Sequence, residues 1–310
     1  MTKVLITGGA GCIGSHLVDR LATDGHEIIV YDNFSRGKPP SAAFLTGIHT
    51  RYVQGDIRDY DHLLNEIEGS EIVYHLAGQT SVIGAYVDLD YCLTTNIMGT
   101  YNTLKASKEA GVERVIYTSS REVYGECIKL PVNENTHLRY KNLYGETKAI
   151  GDRFCQLFND EYQLPVVILR LTNVYGPHDF DRVIPNFIDQ ARKGDPLEVF
   201  GGKQIIDLVW IELVIEALIR STTYAVTGIP INIGSGSGVS IMDLAQSIIQ
   251  LSHSSSKIII QPARSVEVNK YVADITRMND MLHLQSNIKL LDGLCRIINN
   301  SDSLPRNGSD

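Results

Sequence analysis

Residues 4–14 read VLITGGAGCIG, a β-branched run that passes into three spaced glycines and, with no linker, into a helical pattern. A strand that turns through glycine straight into a helix is the opening of a parallel, helix-covered sheet. Gly8, Gly11 and Gly14 permit a tight turn and close backbone approach, and the helix N-terminus presents free N–H groups and the positive end of its dipole. That combination suits the pyrophosphate of a dinucleotide.

The alternation continues for 170 residues. Short β-branched runs at 3–7, 27–31, 51–54, 71–75, 114–118 and 166–171 predict strands, and helical patterns fill the intervals, notably at 13–23, 91–110 and 143–158. Near-continuous apolar runs such as VIYT and VVILRL fit strands covered on both faces. The expected fold class is α/β: a doubly wound parallel sheet of Rossmann type over 1–175. Beyond Pro177 the alternation loosens, with helices at 183–193, 211–221 and 241–250 and short strands at 197–200 and 230–233. Residues 176–298 are therefore expected to form mainly a smaller α/β lobe for substrate. The polar segment 299–310, NNSDSLPRNGSD, has little to bury and is expected to be disordered.

Asp32 closes the second strand run in IIVYDNFSRG, where a carboxylate accepts hydrogen bonds from both ribose hydroxyls of an adenosine half. A 2′-phosphate there would face the carboxylate's charge, which favours NAD over NADP, although Arg36 nearby softens the repulsion. The chain has 28 Lys and Arg against 36 Asp and Glu, and a net charge of −8 disfavours nucleic acid as a partner. No stretch approaches the run of about 20 apolar residues that spans a bilayer. The start MTKVLITGG lacks the pattern of a secretory signal, so a soluble, cytoplasmic protein with no membrane partner is expected. Cys12, Cys92, Cys127, Cys155 and Cys295 form no CxxC pair and the histidines do not cluster, so neither a metal site nor a disulfide framework is expected.

Tyr144 and Lys148 stand four apart in YGETK, on one face of a helix. An ammonium beside a phenol stabilises tyrosinate and brings its pKa from about 10 toward neutrality, which makes the tyrosine a base for a hydroxyl. The run RVIYTSS places Ser119 and Ser120 at the carboxyl end of a central parallel strand, the edge at which such sheets bind ligands. A serine there can hold the oxygen that the tyrosine deprotonates.

Together, TGGAGCIG, Asp32 and Asn33, Gly55, Asp56 and Ile57, HLAG at 75–78, Asn96 with Gly99 and Thr100, SSREVYG, Tyr144-x-x-x-Lys148, NVYGP at 173–177 and ARSVEVNKYVAD at 263–274 resemble the extended short-chain dehydrogenase/reductase family and its NAD-dependent epimerases and dehydratases. The resemblance runs from the first strand to about Asn299. It implies catalytic roles for Ser120, Tyr144 and Lys148, with Glu122 matching a glutamate of the dehydratase and decarboxylase members. It implies NAD contacts for Gly8, Gly11, Cys12, Ile13, Gly14, Asp32, Asn33, Asp56, Ile57, Leu76, Ala77, Asn96, Tyr144 and Lys148. Asn173 and Arg264, with Glu267 nearby, would hold a nucleotide-sugar substrate alongside Ser120. The helices at 91–110 and 143–158 resemble those that pair relatives into homodimers.

Family chemistry oxidises the sugar at carbon 4, and the fate of the ketone distinguishes the members. Dehydratases carry an Asp-Glu pair where this chain has Arg121-Glu122, and a guanidinium does not readily give a proton to a leaving hydroxyl at pH 7. Ile206 stands where many relatives have a diphosphate-binding arginine, and Glu212 and Leu213 replace a common Asp-Asp, leaving Arg264 as the main candidate for bidentate phosphate contact. Three readings remain. The first is a nucleotide-sugar 4-epimerase, the second a lyase that dehydrates or decarboxylates such a sugar, and the third a non-catalytic NAD sensor, which has no need of Ser120, Tyr144 and Lys148 together.

Overall fold

The computed structural model describes residues 1–36, 49–180, 182–223 and 226–300. Its first half runs β1 (Lys3–Thr7), α1 (Cys12–Thr23), β2 (Glu27–Asp32), β3 (Thr50–Gln54), α2 (Tyr60–Ile67), β4 (Ile72–His75), α3 (Val82–Val87), α4 (Leu89–Leu93), a π-helical turn Thr94–Gly99, α5 (Thr100–Glu109), β5 (Arg114–Ser120), a short 3₁₀ turn Arg121–Tyr124, α6 (Leu143–Glu161) and β6 (Val166–Leu171). The remainder runs β7 (Asn173–Tyr175), α7 (Val183–Lys193), β8 (Leu197–Phe200), β9 (Ile205–Trp210), α8 (Ile211–Arg220), β10 (Pro230–Ile233), β11 (Gly238–Ser240), α9 (Ile241–Leu251), β12 (Ile258–Gln261), α10 (Thr276–Leu282) and α11 (Leu290–Asn300).

Seven strands form one sheet in the order β10-β6-β5-β4-β1-β2-β3, every neighbouring pair parallel. The period of two sorts the apolar side chains between its faces. Val4, Ile6, Ile28, Val30, Val167 and Leu169 enter the core under α1 and α8, while Leu5, Ile29, Tyr31, Val166 and Ile168 enter the one beneath α2, α5 and α6. Each such burial contributes roughly 1.5–3 kcal/mol. The chain order reverses between β1 and β4, and that crevice at the carboxyl ends is where an open α/β sheet takes its ligand.

Three features differ from the expectation drawn from sequence. The strand at 230–233, expected in the smaller lobe, is β10 and pairs with β6 at the edge of the large sheet; its fully buried PINI run matches the apolar ILRL of its neighbour. The single helix expected over 91–110 is α4 and α5 joined through the π turn, whose wider loop brings Asn96 into the interior. Residues 299 and 300, expected in a disordered tail, continue α11; the rest of that segment lies outside the described residues.

The smaller sheets are β11-β9-β7 and β12-β8. Leu197, Val199, Val209, Ile248 and Leu294 belong to the same apolar cluster as Val4, Ile6 and Leu17, so one core passes beneath both regions. Among the described residues no helix is long and apolar enough to cross a membrane, and no group of His, Cys, Asp or Glu forms a metal cradle.

Candidate active site

The glycine turn after β1 is sterically exclusive. Gly8 has φ +71°, and a Cβ there would lie 2.7 Å from the Ala77 backbone nitrogen; one on Gly14 would lie 2.4 Å from the Gly8 carbonyl oxygen. Gly11 starts α1 with no side-chain cap, and Cys12 and Ile13 form its first turn. The Cys12 thiol faces the Pro177 carbonyl at 3.8 Å, and burial pushes it up to about 12, so it is an inert wall rather than a nucleophile. Asp32 closes the crevice at the end of β2. Its Oδ2 accepts the Ala10 N–H at 3.0 Å and its Oδ1 the Phe34 N–H at 2.8 Å; burial raises its carboxyl and these two donors oppose the rise.

The next strand ends line the same edge. Asn33 donates to Asp56 at 3.2 Å, and Arg58 grips both Asp56 oxygens at 2.9 and 2.7 Å, holding that carboxyl below its ordinary range. The Arg58 guanidinium lies 5.0 Å from the Tyr91 ring centre. Ile57 is buried against Gly99. Leu76 and Ala77 follow β4, and the Ala77 N–H donates to Thr7 at 3.3 Å. Asn96 is saturated: its amide nitrogen donates to the Gln79 carbonyl and to Thr147 (3.1 and 2.9 Å), and its oxygen accepts the Gln79 N–H at 2.7 Å. Asn96 therefore fixes the loop after β4 against α6.

Ser120, at the carboxyl end of β5, lies near enough to the Tyr144 phenol to oppose its rise, and accepts the Glu122 N–H at 3.2 Å. Ser119, on the opposite face of the strand, has a buried hydroxyl with no hydrogen-bond partner. Tyr144 and Lys148 are both buried on α6. Lys148 donates to the Thr118 carbonyl at 2.9 Å, and burial pushes its ammonium down to about 8. Helical spacing predicts a phenol drawn toward neutrality. In the chain by itself burial pushes Tyr144 up to about 12, because desolvation outweighs the Ser120 hydrogen bond and the Arg182 charge that oppose it. Beneath them Arg170 donates to Asp152 at 2.8 Å, tying α6 to β6.

Arg121 and Glu122 turn inward. Arg121 Nη2 meets Glu122 Oε1 at 2.8 Å, and its Nε donates to Asn173 Oδ1 at 2.8 Å. Glu122 Oε2 accepts from Asn142 at 2.8 Å, and Asn142 in turn caps α6 by accepting the Gly145 N–H at 2.8 Å. Arg121, Glu122, Asn142 and the first turn of α6 are thus one connected unit. Ile206 is buried in the core and offers no charge. Arg264 and Glu267 pair with each other at 3.1 Å, and the guanidinium lies 3.9 Å from the centre of the Phe200 ring, half exposed at the rim. Glu212 is at the surface, 3.7 Å from Arg296.

Sequence reasoning missed two residues here. Asn142 has a signal, since an asparagine just before a helical run is a cap. Arg182, whose charge reaches both Cys12 and Tyr144, has none: it stands at the start of α7 and donates to the Val174 carbonyl at 3.1 Å.

A glycine cradle that any Cβ would fill, a helix N-terminus and a ribose-facing carboxylate fit an NAD-type dinucleotide. The residues beside it can hold a hydroxyl between Ser120 and Tyr144 and move its proton. Together these fit a dinucleotide-dependent enzyme. The chain belongs to the NAD dependent epimerase/dehydratase family, whose model matches residues 4–234. NAD is this family's cofactor. The chain is 35% identical, over 94% of its length and 95% of the relative, to UDP-N-acetyl-alpha-D-glucosaminuronate decarboxylase of Bacillus cytotoxicus. The fold is similar to UDP-glucose 4-epimerase of Thermotoga maritima with UDP-glucose, at TM-score 0.91 and 28% identity, covering 97% of this chain and 99% of that one. It is also similar to MoeE5 in complex with UDP-glucuronic acid and NAD, at TM-score 0.90 and 30% identity, over 97% and 100% of the two chains.

Proposed function

We propose that this chain is an NAD-dependent nucleotide-sugar 4-epimerase working through a transient 4-keto sugar. The observation that carries the reading is the Ser120 hydroxyl set against the Tyr144 phenol at the carboxyl end of β5, followed by a guanidinium rather than a carboxylic acid. Bound NAD supplies the hydride acceptor and a positively charged ring. The residues do the rest. Ser120 holds the carbon-4 hydroxyl, Tyr144 takes its proton, and Lys148, braced on Thr118, supplies the charge that a phenolate needs in a site closed to water. Gly8, Gly11, Cys12, Ile13, Gly14, Asp32, Asn33, Asp56, Ile57, Leu76 and Ala77 line the cofactor crevice in this reading, with Asn96 as its brace; Asn173, Arg264 and Glu267 serve the nucleotide sugar. Glu122, held by both Arg121 and Asn142, orients the first turn of α6.

A lyase is the second reading, favoured by Glu122 and by the decarboxylase relative. Product analysis in heavy water separates the two. We expect an isomer of the substrate free of solvent deuterium, because hydride leaves carbon 4 and returns to it. A product lighter by one water or one carbon dioxide assigns the lyase, and in that case Glu122→Gln is expected to inactivate.

The described surface of α3 to α5 exposes Ile83, Tyr86, Val87, Leu89, Met98 and Tyr101, an apolar run next to α6. We infer that this face pairs two copies of the chain. Sedimentation at micromolar concentration is expected to give twice the 34.4 kDa chain mass, and a monomer there would refute the pairing.

A further inference from the structure

We propose that Asn142 is a positioning residue that fastens the loop bearing Arg264 and Glu267 to the turn that carries the reacting groups; the inference rests on the nucleotide-sugar reading and concerns how that site is kept in register. The asparagine joins separate stretches of chain. Both hydrogens of its amide are spent, one on Glu122 Oε2 at 2.8 Å and one on the Val266 carbonyl at 3.2 Å, while its oxygen accepts the Gly145 N–H at 2.8 Å. Glu122 leads on through Arg121 to Asn173, so a line of polar contacts runs from Asn173, past the first turn of α6, to the loop of Arg264.

A helix cap by itself asks only for an oxygen. The Asn142 amide does more, and the neighbouring Lys141 repeats the tie: its ammonium donates to the Glu267 carbonyl at 2.6 Å and pairs with Glu126, whose Oε1 also accepts the Asn269 N–H at 3.0 Å and Nδ2 at 2.7 Å. Val268, between these anchored residues, is buried with Val123 and Tyr124, which follow Glu122 in the chain. Apolar packing thus sets where the loop lies, and the polar ties set its register. Arg264 precedes this stretch and is joined to it through Glu267 at 3.1 Å. A substrate held by its phosphates at Arg264 and reacting at Tyr144 feels any slip between the two, and a misplacement of about 1 Å costs on the order of a hundredfold in rate.

The test uses NAD-loaded enzyme with UDP-glucose, UDP-glucuronate, UDP-N-acetylglucosamine and TDP-glucose, and with free UDP and TDP. Asn142→Ser keeps a capping oxygen and loses both amide donations. Lys141→Met removes the neighbouring tie and leaves the cap intact, so it carries the test by the same criteria if the serine variant does not fold. The rate of carbon-4 oxidation at saturating sugar nucleotide, read from reduced nicotinamide in single turnovers, is expected to fall about 10- to 100-fold in Asn142→Ser and about 3- to 10-fold in Lys141→Met. Dissociation constants of NAD and of the free diphosphate, read by calorimetry, are expected to stay within about twofold of wild type, because each end of the site is intact and only their register is loosened. An unchanged rate in the folded serine variant overturns the proposal. So does a variant that loses NAD or diphosphate affinity as strongly as rate, because the residue would then be merely structural. Wild type that oxidises none of these sugars sinks the nucleotide-sugar reading and this inference with it, whereas normal oxidation by wild type and variant alike sinks only the role given to Asn142.

Discussion

Tyr144→Phe is expected to lower the rate at which bound NAD is reduced by the true substrate by on the order of a thousandfold, while leaving fold and NAD affinity nearly unchanged. The substitution removes one oxygen from a ring that is buried and packed beside Ala85 and Cys92, so the apolar contacts persist. What is lost is the group that takes the proton. Burial by itself holds the phenol near 12, so at neutral pH a base there depends on positive charge gathered around it. Lys148→Met tests that dependence and is expected to impair the same step severely, because it removes the ammonium that α6 carries one helical turn beyond Tyr144. Single-turnover absorbance of reduced nicotinamide reports the step. A phenylalanine variant that reduces NAD at the normal rate removes Tyr144 from the mechanism.

NAD is expected to bind about a hundredfold more tightly than NADP. A phosphate on the adenosine ribose would be brought against Asp32, and two like charges about 4 Å apart repel by roughly 4 kcal/mol at the effective dielectric of a protein surface. Asp32 is held in place from both sides by the Ala10 and Phe34 N–H groups and has no room to swing aside without breaking one of them. Arg36, which would soften the repulsion, directs its Nη1 to Thr80 at 2.7 Å. Calorimetric titration of both dinucleotides measures the ratio, and Asp32→Ala is expected to weaken NAD while narrowing the gap. Equal affinities, or an alanine variant that keeps full NAD affinity, would remove the role given to Asp32.

The fold was legible where local pattern and burial agree. The six strands read from the first 170 residues fall within two residues of β1 to β6, because each carries apolar residues on both faces and ends at a turn signal. The π turn left no trace, since the helical pattern runs through 94–99 and only the buried Asn96 asks for the extra width. The strand at 230–233 was legible as a strand but not by its sheet, which depends on a distant edge, where Pro230 pairs with Ile168 of β6. In the site, four-residue spacing brought Tyr144 and Lys148 to one helix, yet it says nothing of burial, which raises the phenol and lowers the ammonium. Adjacency left the Arg121-Glu122 pair open between cleft and solvent. The partners that decide it, the Asn142 donor to Glu122 and the Asn173 acceptor of Arg121, come from distant segments.

The return of β10 to the large sheet carries a consequence for how the protein is made. Synthesis runs from the N-terminus, so the first six strands emerge while the outer edge of β6 still lacks its neighbour. That edge is an apolar run, VVILRL, with unpaired backbone groups along it, the kind of surface on which one nascent chain templates another. It stays open until residues 230–233 leave the ribosome, after the strands and helices of α7 to α8 have already passed. A ribosome that stalls within that stretch is expected to leave an adhesive chain, its β6 edge still open.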